Sequence, residues 1–249
     1  RPVIDLVSEA LPTTLLLNTI ATLLIYAIAI PTGVVAAINR GRWQDVSLGN
    51  LFIALWSFPI PLAGILALGY LASDQYLGGF PVAGLSSTSA ENMPFLPSTQ
   101  DGEFVRGWLL DRLWHVVLPV MCLVYGGFAV LSKQTRAAML DNFNADYVRT
   151  AKAKGVPALD VTTRHVFRNS LLPLITMFVT IFPAMLSGSV VIESIFTING
   201  MGRLALEGIN LRDRELILAV TFMIGVVNLV ALLLADILYA LADPRISYE

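Results

Sequence analysis

Residues 216–235 read LILAVTFMIGVVNLVALLLA, which is twenty consecutive residues without an Asp, Glu, Lys or Arg. An apolar helix of about 20 residues is long enough to cross the roughly 30 Å hydrocarbon core of a bilayer. Four more charge-free stretches precede it, namely Ala10–Asn39, Val46–Ser73, Leu113–Ser132 and Asn169–Ile192. The sequence therefore predicts an all-α polytopic membrane protein with five transmembrane helices, at about residues 13–38, 47–73, 114–132, 170–192 and 216–240.

The composition of the whole chain is that of a membrane protein. Of its 249 residues, 56% are hydrophobic and 14% are charged, whereas a soluble domain has roughly 25% charged residues. This composition excludes a soluble enzyme, a disordered chain and a nucleic-acid binder. The sequence contains no internal repeat, so we expect residues 1–249 to form a single transmembrane domain.

Few residues are available for catalysis or metal binding. The single cysteine, Cys122, lies inside an apolar stretch, and the two histidines, His115 and His165, are 50 residues apart. No Cys or His cluster can therefore hold a metal. The chain also lacks the G-x-x-x-x-G-K-[ST] loop that binds ATP. We predict neither a catalytic nor a metal nor a cofactor site in this chain.

Two connecting segments differ in charge. The basic segment (Lys133–Arg168) carries seven Lys and Arg residues, and the acidic segment (Asp74–Arg112) carries five Asp and Glu residues. The positive-inside rule predicts that the basic segment, residues 133–168, is a cytoplasmic loop and that residues 74–112 form an external loop. Five spans with a cytoplasmic C-terminus leave the N-terminus outside, so we expect a sixth, N-terminal helix upstream of Arg1.

The basic segment contains the signals of two short helices. Asn144 is a suitable N-cap for a helix over Asn144–Lys154. Gly155 stands where a helix commonly ends in a left-handed residue, and Pro157 follows two positions later. A second helix is predicted from Pro157 towards Arg168.

Tyr147, Ala151 and Gly155 have the i, i+4 spacing that places residues on one helix face. Small residues beside the cations Lys152 and Lys154 would let the backbone of another protein approach closely. The spacing alone equally favours a basic loop that lies against anionic lipid headgroups. Both interpretations remain open at this point.

The run DYVRTAKAKG at residues 146–155, followed by RHVFRNSLLP at residues 164–173, resembles the cytoplasmic signature of ABC-importer permeases. The sequence looks most like the B-type subunits of the dipeptide/oligopeptide/nickel branch, and closest to the microcin C/oligopeptide subgroup. ESIFTINGMGRL at residues 193–204 and the ending DPRI at residues 243–246 are similar to that branch too. The general signature begins Glu-Ala-Ala, whereas residues 149–151 here are Arg-Thr-Ala, so no docking role passes to an acidic residue.

The resemblance implies the ABC type I importer permease fold and a location in the bacterial inner membrane. It implies an ATP-driven importer subunit for peptides or peptide-like solutes that is not itself an enzyme. The implied partners are a second, C-type permease subunit, two ATP-binding subunits, a periplasmic solute-binding protein and membrane lipid, but no nucleic acid. The loop implied to dock the ATPase contains Tyr147, Ala151, Lys152, Lys154 and Gly155.

The alternative function is an ion-coupled secondary transporter. That class favours paired carboxylates or broken helices near the midplane of the membrane, and the middles of all five apolar stretches lack charge. Glu193, at the edge of one stretch, is either a structural pairing partner or part of a gate. The match of residues 200–205 to the dinucleotide fingerprint G-x-G-x-x-A is better explained as a tight turn after a span.

Overall fold

The computed structural model describes residues 2–100, 103–186 and 190–242, without the side chains at positions 100, 103, 179–186, 239 and 242. The C-terminal DPRI sequence lies outside the described residues. Within these residues, ten α-helices and one small hairpin follow one another as α1 (Val3–Ile38), α2 (Trp43–Ser57), α3 (Ile60–Leu66), β1 (Ser98–Gln100), β2 (Glu103–Val105), α4 (Gly107–Phe143), α5 (Asp146–Ala153), α6 (Ala158–Asp160), α7 (Arg168–Leu186), α8 (Val190–Ile195), α9 (Met201–Leu211) and α10 (Arg214–Ala242).

The membrane helices are longer and less regular than five straight spans. Among the described residues, α1, α4 and the first 25 residues of α10 are long and apolar enough to cross a membrane. The predicted span 47–73 is instead a bent pair, in which α2 and α3 with its π-helical extension (Ala67–Ala72) meet at 86°. The predicted span 170–192 corresponds to α7 and α8, and residues 187–189 between them lie outside the description.

The bend between α2 and α3 follows from Pro59. This residue has an extended backbone, with φ −65° and ψ 131°, and lies directly before α3. Proline lacks the amide hydrogen that would continue α2, and its ring disfavours a helical residue before it. Pro59 therefore breaks the helix completely.

The basic segment begins as a continuation of a membrane helix. Helix α4 runs without interruption to Phe143, so the loop starts eleven residues later than predicted. The N-cap prediction at Asn144 is wrong, because Ala145 occupies the cap position of α5 and provides no side-chain hydrogen bond. The Asn144 amide donates instead to the Leu140 carbonyl at the end of α4.

The second short helix of the basic segment has no end of its own. It begins after Pro157, as predicted, with α6, and continues through a π-helical turn (Val161–Phe167) directly into α7. Every residue from Ala158 to Leu186 is therefore helical. Pro157 suits this start because the first amide groups of a helix have no partner to lose.

The acidic segment is folded rather than an open loop. Its strands β1 and β2 pair antiparallel, with Thr99 opposite Phe104. The Trp114 indole at the start of α4 donates to the Gly79 carbonyl at 3.0 Å and stacks on Phe80, with 4.5 Å between ring centroids. The Ser87 amide donates to the Asp111 carboxylate at 2.8 Å. These contacts join the segment to α4.

The chain divides into two compact units. The first contains Arg1–Ala21, Phe58–Val124 and Met185–Met223, and the second contains Thr22–Ser57, Tyr125–Ala184 and Ile224–Glu249. In the first unit the largest fully buried side chains come from α1, α4, α8, α9 and the turn between α8 and α9. In the second they come from α1, α2, α4, α5 and α7. The acidic segment belongs to the first unit and the basic segment to the second.

Candidate functional site

Helix α5 is held on the protein by an apolar underside. Val148 and Ala151 are 0% and 5% exposed. They belong to a buried cluster with residues of α1, α4 and the π-helical turn, namely Ala37, Met139, Val161 and Val166. An eight-residue helix has little stability by itself, so this packing determines where α5 lies.

A chain of polar side chains ties the same helix to its neighbours. The Tyr147 hydroxyl donates to the Asn142 side-chain oxygen near the end of α4. The Asn142 amide group donates in turn to the Ser170 hydroxyl of α7 at 3.1 Å, and Ser170 is fully buried. Since Asn142 contacts both partners, α4, α5 and α7 are linked by side chains as well as by packing.

Helix α5 ends in a Schellman motif. The Val156 amide donates to the Ala151 carbonyl at 3.2 Å, and the Gly155 amide to the Lys152 carbonyl at 3.0 Å. Gly155 has φ +76°, the left-handed conformation that only glycine adopts at little cost. The prediction that Gly155 terminates this helix is confirmed.

The five residues predicted for docking lie on different sides of α5. Tyr147, Lys152, Lys154 and Gly155 are exposed. Ala151 is buried in the chain's own apolar cluster and presents no surface to a partner. The i, i+4 spacing did place Tyr147 and Ala151 on one side of the helix, but Ala151 packs into the chain's own apolar cluster. The exposed residues of this helix outside the predicted set include Asp146, Arg149, Thr150 and Ala153.

An ion pair that no sequence pattern indicated joins the basic segment to the start of α2. The Asp45 carboxylate, at the start of α2, accepts two hydrogen bonds from the Arg136 guanidinium of α4. The distances are 2.6 Å from Nε and 2.7 Å from Nη2. A third bond comes from the Gly41 amide at 2.9 Å. Bidentate pairs of this kind are strong and directional. The bonds of Asp45 therefore fix the link between α1 and α2. Asp45 and Arg136 are 91 residues apart, so no local sequence pattern indicates that they pair.

A second buried carboxylate organises the glutamate turn (residues 193–203). Glu193 is 2% exposed. One of its oxygens accepts from the Thr14 hydroxyl at 3.0 Å, and the other accepts from the Arg203 amide at 2.9 Å. Thr14 also accepts from the Met201 amide at 2.8 Å. The first amide groups of α9 are therefore satisfied by Glu193 and Thr14. This is the structural pairing considered for Glu193.

The glycines of the glutamate turn are needed for space. A Cβ at Gly200 would lie 2.5 Å from the Glu193 carboxyl carbon, and one at Gly202 would lie 2.8 Å from the Val190 amide nitrogen. The Gly-x-Gly spacing therefore reflects the close approach of the chain to its own carboxylate and to α8. The prediction that residues 200–205 form a tight turn, rather than a dinucleotide site, agrees with this geometry.

The chain matches the family "Binding-protein-dependent transport system inner membrane component" over residues 29–248, and it belongs to that family. The fold and the sequence together define it as a permease subunit of an ABC importer, a multi-pass protein of the bacterial inner membrane.

Curated relatives extend over almost the whole chain. It is 37% identical to the oligopeptide transport system permease protein AppB of Bacillus subtilis, covering 99% of this chain and 73% of that protein. It is 34% identical to the inner membrane ABC transporter permease protein YejB of Escherichia coli O157:H7, covering 99% of this chain and 65% of that protein. The chain thus spans slightly less than two thirds of the latter relative.

Solved structures show the same fold. The MetNI methionine ABC transporter matches with a TM-score of 0.70 at 11% identity, over 98% of this chain and 99% of that one. An amino acid ABC transporter matches with a TM-score of 0.60 at 13% identity, over 94% and 93% of the two chains. The type I ABC importer permease fold implied by the sequence resemblance is confirmed.

Proposed function

We propose that the chain imports peptides or peptide-like solutes as one subunit of an ATP-driven transporter. The relatives named as oligopeptide and dipeptide permeases support this substrate class. A second, C-type permease subunit would complete the pathway, two ATP-binding subunits would supply the energy, and a periplasmic solute-binding protein would deliver the substrate. Hydrolysis of ATP would take place in the partner subunits.

The geometry of α5 is the observation that carries the proposal. Its underside packs on the permease through Val148 and Ala151, while Ala153 and Lys154 remain exposed. A short helix that is rigidly held on one side and free on the other suits the transmission of force from a partner. We propose that the exposed side, together with Tyr147, Lys152 and Gly155, docks on an ATP-binding subunit.

Movement of α5 would then reach the membrane helices through two sets of contacts. The apolar cluster connects α5 to α1 and α4, and the Tyr147–Asn142–Ser170 chain connects it to α4 and α7. Closure of the ATP-binding subunits would pull on α5, and the membrane helices would exchange between two packings as rigid bodies.

A charge on the exposed side of α5 tests the docking proposal. Ala153→Asp places a carboxylate on an exposed position of the basic segment, and the matched control Ala83→Asp does the same in the acidic segment. We expect both variants to reach the membrane at normal levels. Only Ala153→Asp should release the ATP-binding subunits during purification and abolish peptide-stimulated ATPase activity. Full activity of Ala153→Asp would refute docking at α5.

Cysteine labelling tests the proposed orientation. Thr88 in the acidic segment and Ala158 in the basic segment are both exposed. In intact spheroplasts, a membrane-impermeant maleimide should react with Thr88→Cys and should leave Ala158→Cys unmodified until the membrane is opened. The single natural cysteine, Cys122, is buried and serves as the background control. The opposite labelling pattern would reverse the topology and remove α5 from the side where ATP is hydrolysed.

A further inference from the structure

A cavity of about 340 Å³ opens beside α5, at the ends of α1 and α4. Its floor is apolar and includes Ile38, Phe143 and Val161. Its rim carries two cations, Arg40 after α1 and Lys152 of α5. No carboxylate lines the cavity among the described residues. The second unit supplies every lining residue.

The two cations are the groups available to a ligand. Within the described part of the chain, neither Arg40 nor Lys152 forms an ion pair or a side-chain hydrogen bond. Asp45 is close enough to feel the charge of Arg40, but its carboxylate binds Arg136 instead. Two other polar groups of the lining already donate within their own elements, Thr162 to the Ala158 carbonyl and Asn144 to the Leu140 carbonyl. The cavity therefore offers unused positive charge above an apolar floor.

We propose that this cavity binds the headgroup of an anionic phospholipid. The phosphate would accept charge-assisted hydrogen bonds from Arg40 and Lys152, and the first methylene groups of an acyl chain would lie on Ile38 and Phe143. A phosphate with an attached chain fits a site that combines two cations with an apolar floor, and basic pockets at the ends of membrane helices recognise such headgroups. Helix α1 ends at Ile38, directly before the cavity.

The site would give the lipid a specific role. Arg40 belongs to the link between α1 and α2, whereas Lys152 belongs to α5. One phosphate bound to both would hold α5 against the ends of the membrane helices. Anionic lipid would thereby stabilise the position of α5. The site requires the membrane location of the chain. Because Lys152 is also among the residues proposed to dock on an ATP-binding subunit, lipid binding is tested on the permease without those subunits.

The test compares two double variants of the full-length permease purified in dodecyl maltoside. Arg40→Gln/Lys152→Gln removes both rim cations. The control Arg42→Gln/Lys154→Gln removes the same charge two residues further along each element, where neither side chain lines the cavity. Each protein is titrated with phosphatidylglycerol, with phosphatidylcholine and with inorganic phosphate. The melting temperature is followed, and bound lipid is counted by native mass spectrometry.

We expect phosphatidylglycerol to raise the melting temperature of the wild type and of the control variant, and phosphatidylcholine to have no such effect. In Arg40→Gln/Lys152→Gln the apparent affinity for phosphatidylglycerol should fall by about tenfold or more, because each lost bond involves a charged donor. One tightly bound phosphatidylglycerol should disappear from its mass spectrum. Ala158→Phe, which fills the cavity and keeps both cations, should weaken binding too.

Three results would overturn the proposal. Equal loss in both double variants would indicate diffuse surface charge rather than a site. Equal stabilisation by inorganic phosphate would show that no lipid is needed. Retained lipid binding in Arg40→Gln/Lys152→Gln would show that these two cations do not hold the phosphate.

Discussion

The glutamate turn and helix α5 are two short elements that are held in place by opposite means. The turn depends on a few polar atoms, since Glu193 and Thr14 satisfy the first amide groups of α9 and leave no space for a Cβ at Gly200 or Gly202. Helix α5 depends on apolar packing beneath it and has open space around Gly155 in the described part of the chain.

The difference indicates where each element tolerates change. Polar groups that are buried without partners are costly, so a network with few atoms fails when one of them is removed. Apolar packing spreads its free energy over many contacts, each of which is small. The glutamate turn should therefore behave as a fixed structural joint, whereas α5 should keep its place after substitutions on its exposed side.

The largest effect is expected from Gly202→Ala in the glutamate turn. Its Cβ would lie 2.8 Å from the Val190 amide nitrogen, so the turn must move away from α8 and Glu193. We expect a loss of about 3 kcal/mol in the free energy of unfolding and a large decrease in the amount of folded protein, measured by size-exclusion chromatography in detergent. Gly49→Ala, with no atom within 4 Å of its Cβ in the described residues, is the control. Equal behaviour of the two variants would contradict the close-packed turn.

Glu193→Ala should have the next largest effect. It removes the acceptor of the Thr14 hydroxyl and of the Arg203 amide, and it leaves both donors buried. Hydrogen bonds to a charged group contribute about 2 kcal/mol, so we expect a loss of that size. Thermal unfolding in detergent measures it. The control Glu207→Ala breaks an exposed ion pair with Arg203 and should cost below about 1 kcal/mol. A comparable loss in Glu207→Ala would mean that Glu193 has no special role.

Gly155→Val tests whether helix α5 tolerates substitution better than the glutamate turn. A β-branched residue at φ +76° costs about 1–2 kcal/mol, and no atom of the described residues lies within 4 Å of its Cβ. The permease should therefore insert and fold, while uptake and recovery of the ATP-binding subunits fall because the helix ends at a wrong angle. Gly155→Asn tolerates the left-handed conformation and should retain most activity. Unfolding of Gly155→Val would show that α5 is as intolerant as the glutamate turn.

The smallest effect is expected from Tyr147→Phe. It removes the hydroxyl that donates to Asn142 and leaves the aromatic ring in place, so the free energy of unfolding should fall by about 1 kcal/mol. Tyr76→Phe, at an exposed tyrosine of the acidic segment, should change it by less than about 0.5 kcal/mol. A double variant with Asn142→Ala should be no less stable than Asn142→Ala alone, and additive losses would contradict the Tyr147–Asn142 bond.

Local signals predicted the ends of elements better than their interiors. Gly155 and Pro157 act through their own backbone, and both interrupted the chain where expected. The N-cap prediction at Asn144 failed because α4 extends to Phe143 and Ala145 occupies the cap position of α5. Helix α4 passed through the predicted loop boundary at Lys133 because no residue before Phe143 interrupts a helix there.

The tertiary contacts could not be read from the sequence. Thr14 and Glu193 are 179 positions apart, and Asp45 and Arg136 are 91 apart. Their pairing depends on how the helices pack, which apolar periodicity in a lipid-embedded helix does not determine. The burial of Ala151 could not be predicted for the same reason. Its i, i+4 spacing indicated that it shares a face of α5 with Tyr147, but not whether that face points to the protein or to solvent.

The four residues Thr14, Glu193, Gly200 and Gly202 have a consequence for how such permeases diverge. A change of Thr14 alone strands a carboxylate oxygen, and a larger residue at Gly200 alone collides with Glu193. Each single step is thus deleterious, although a joint replacement that removes the carboxylate and refills its space could be neutral. The four positions should accordingly be inherited as one block, and substitutions among distant relatives should occur in matched sets, although Thr14 and Glu193 are 179 positions apart.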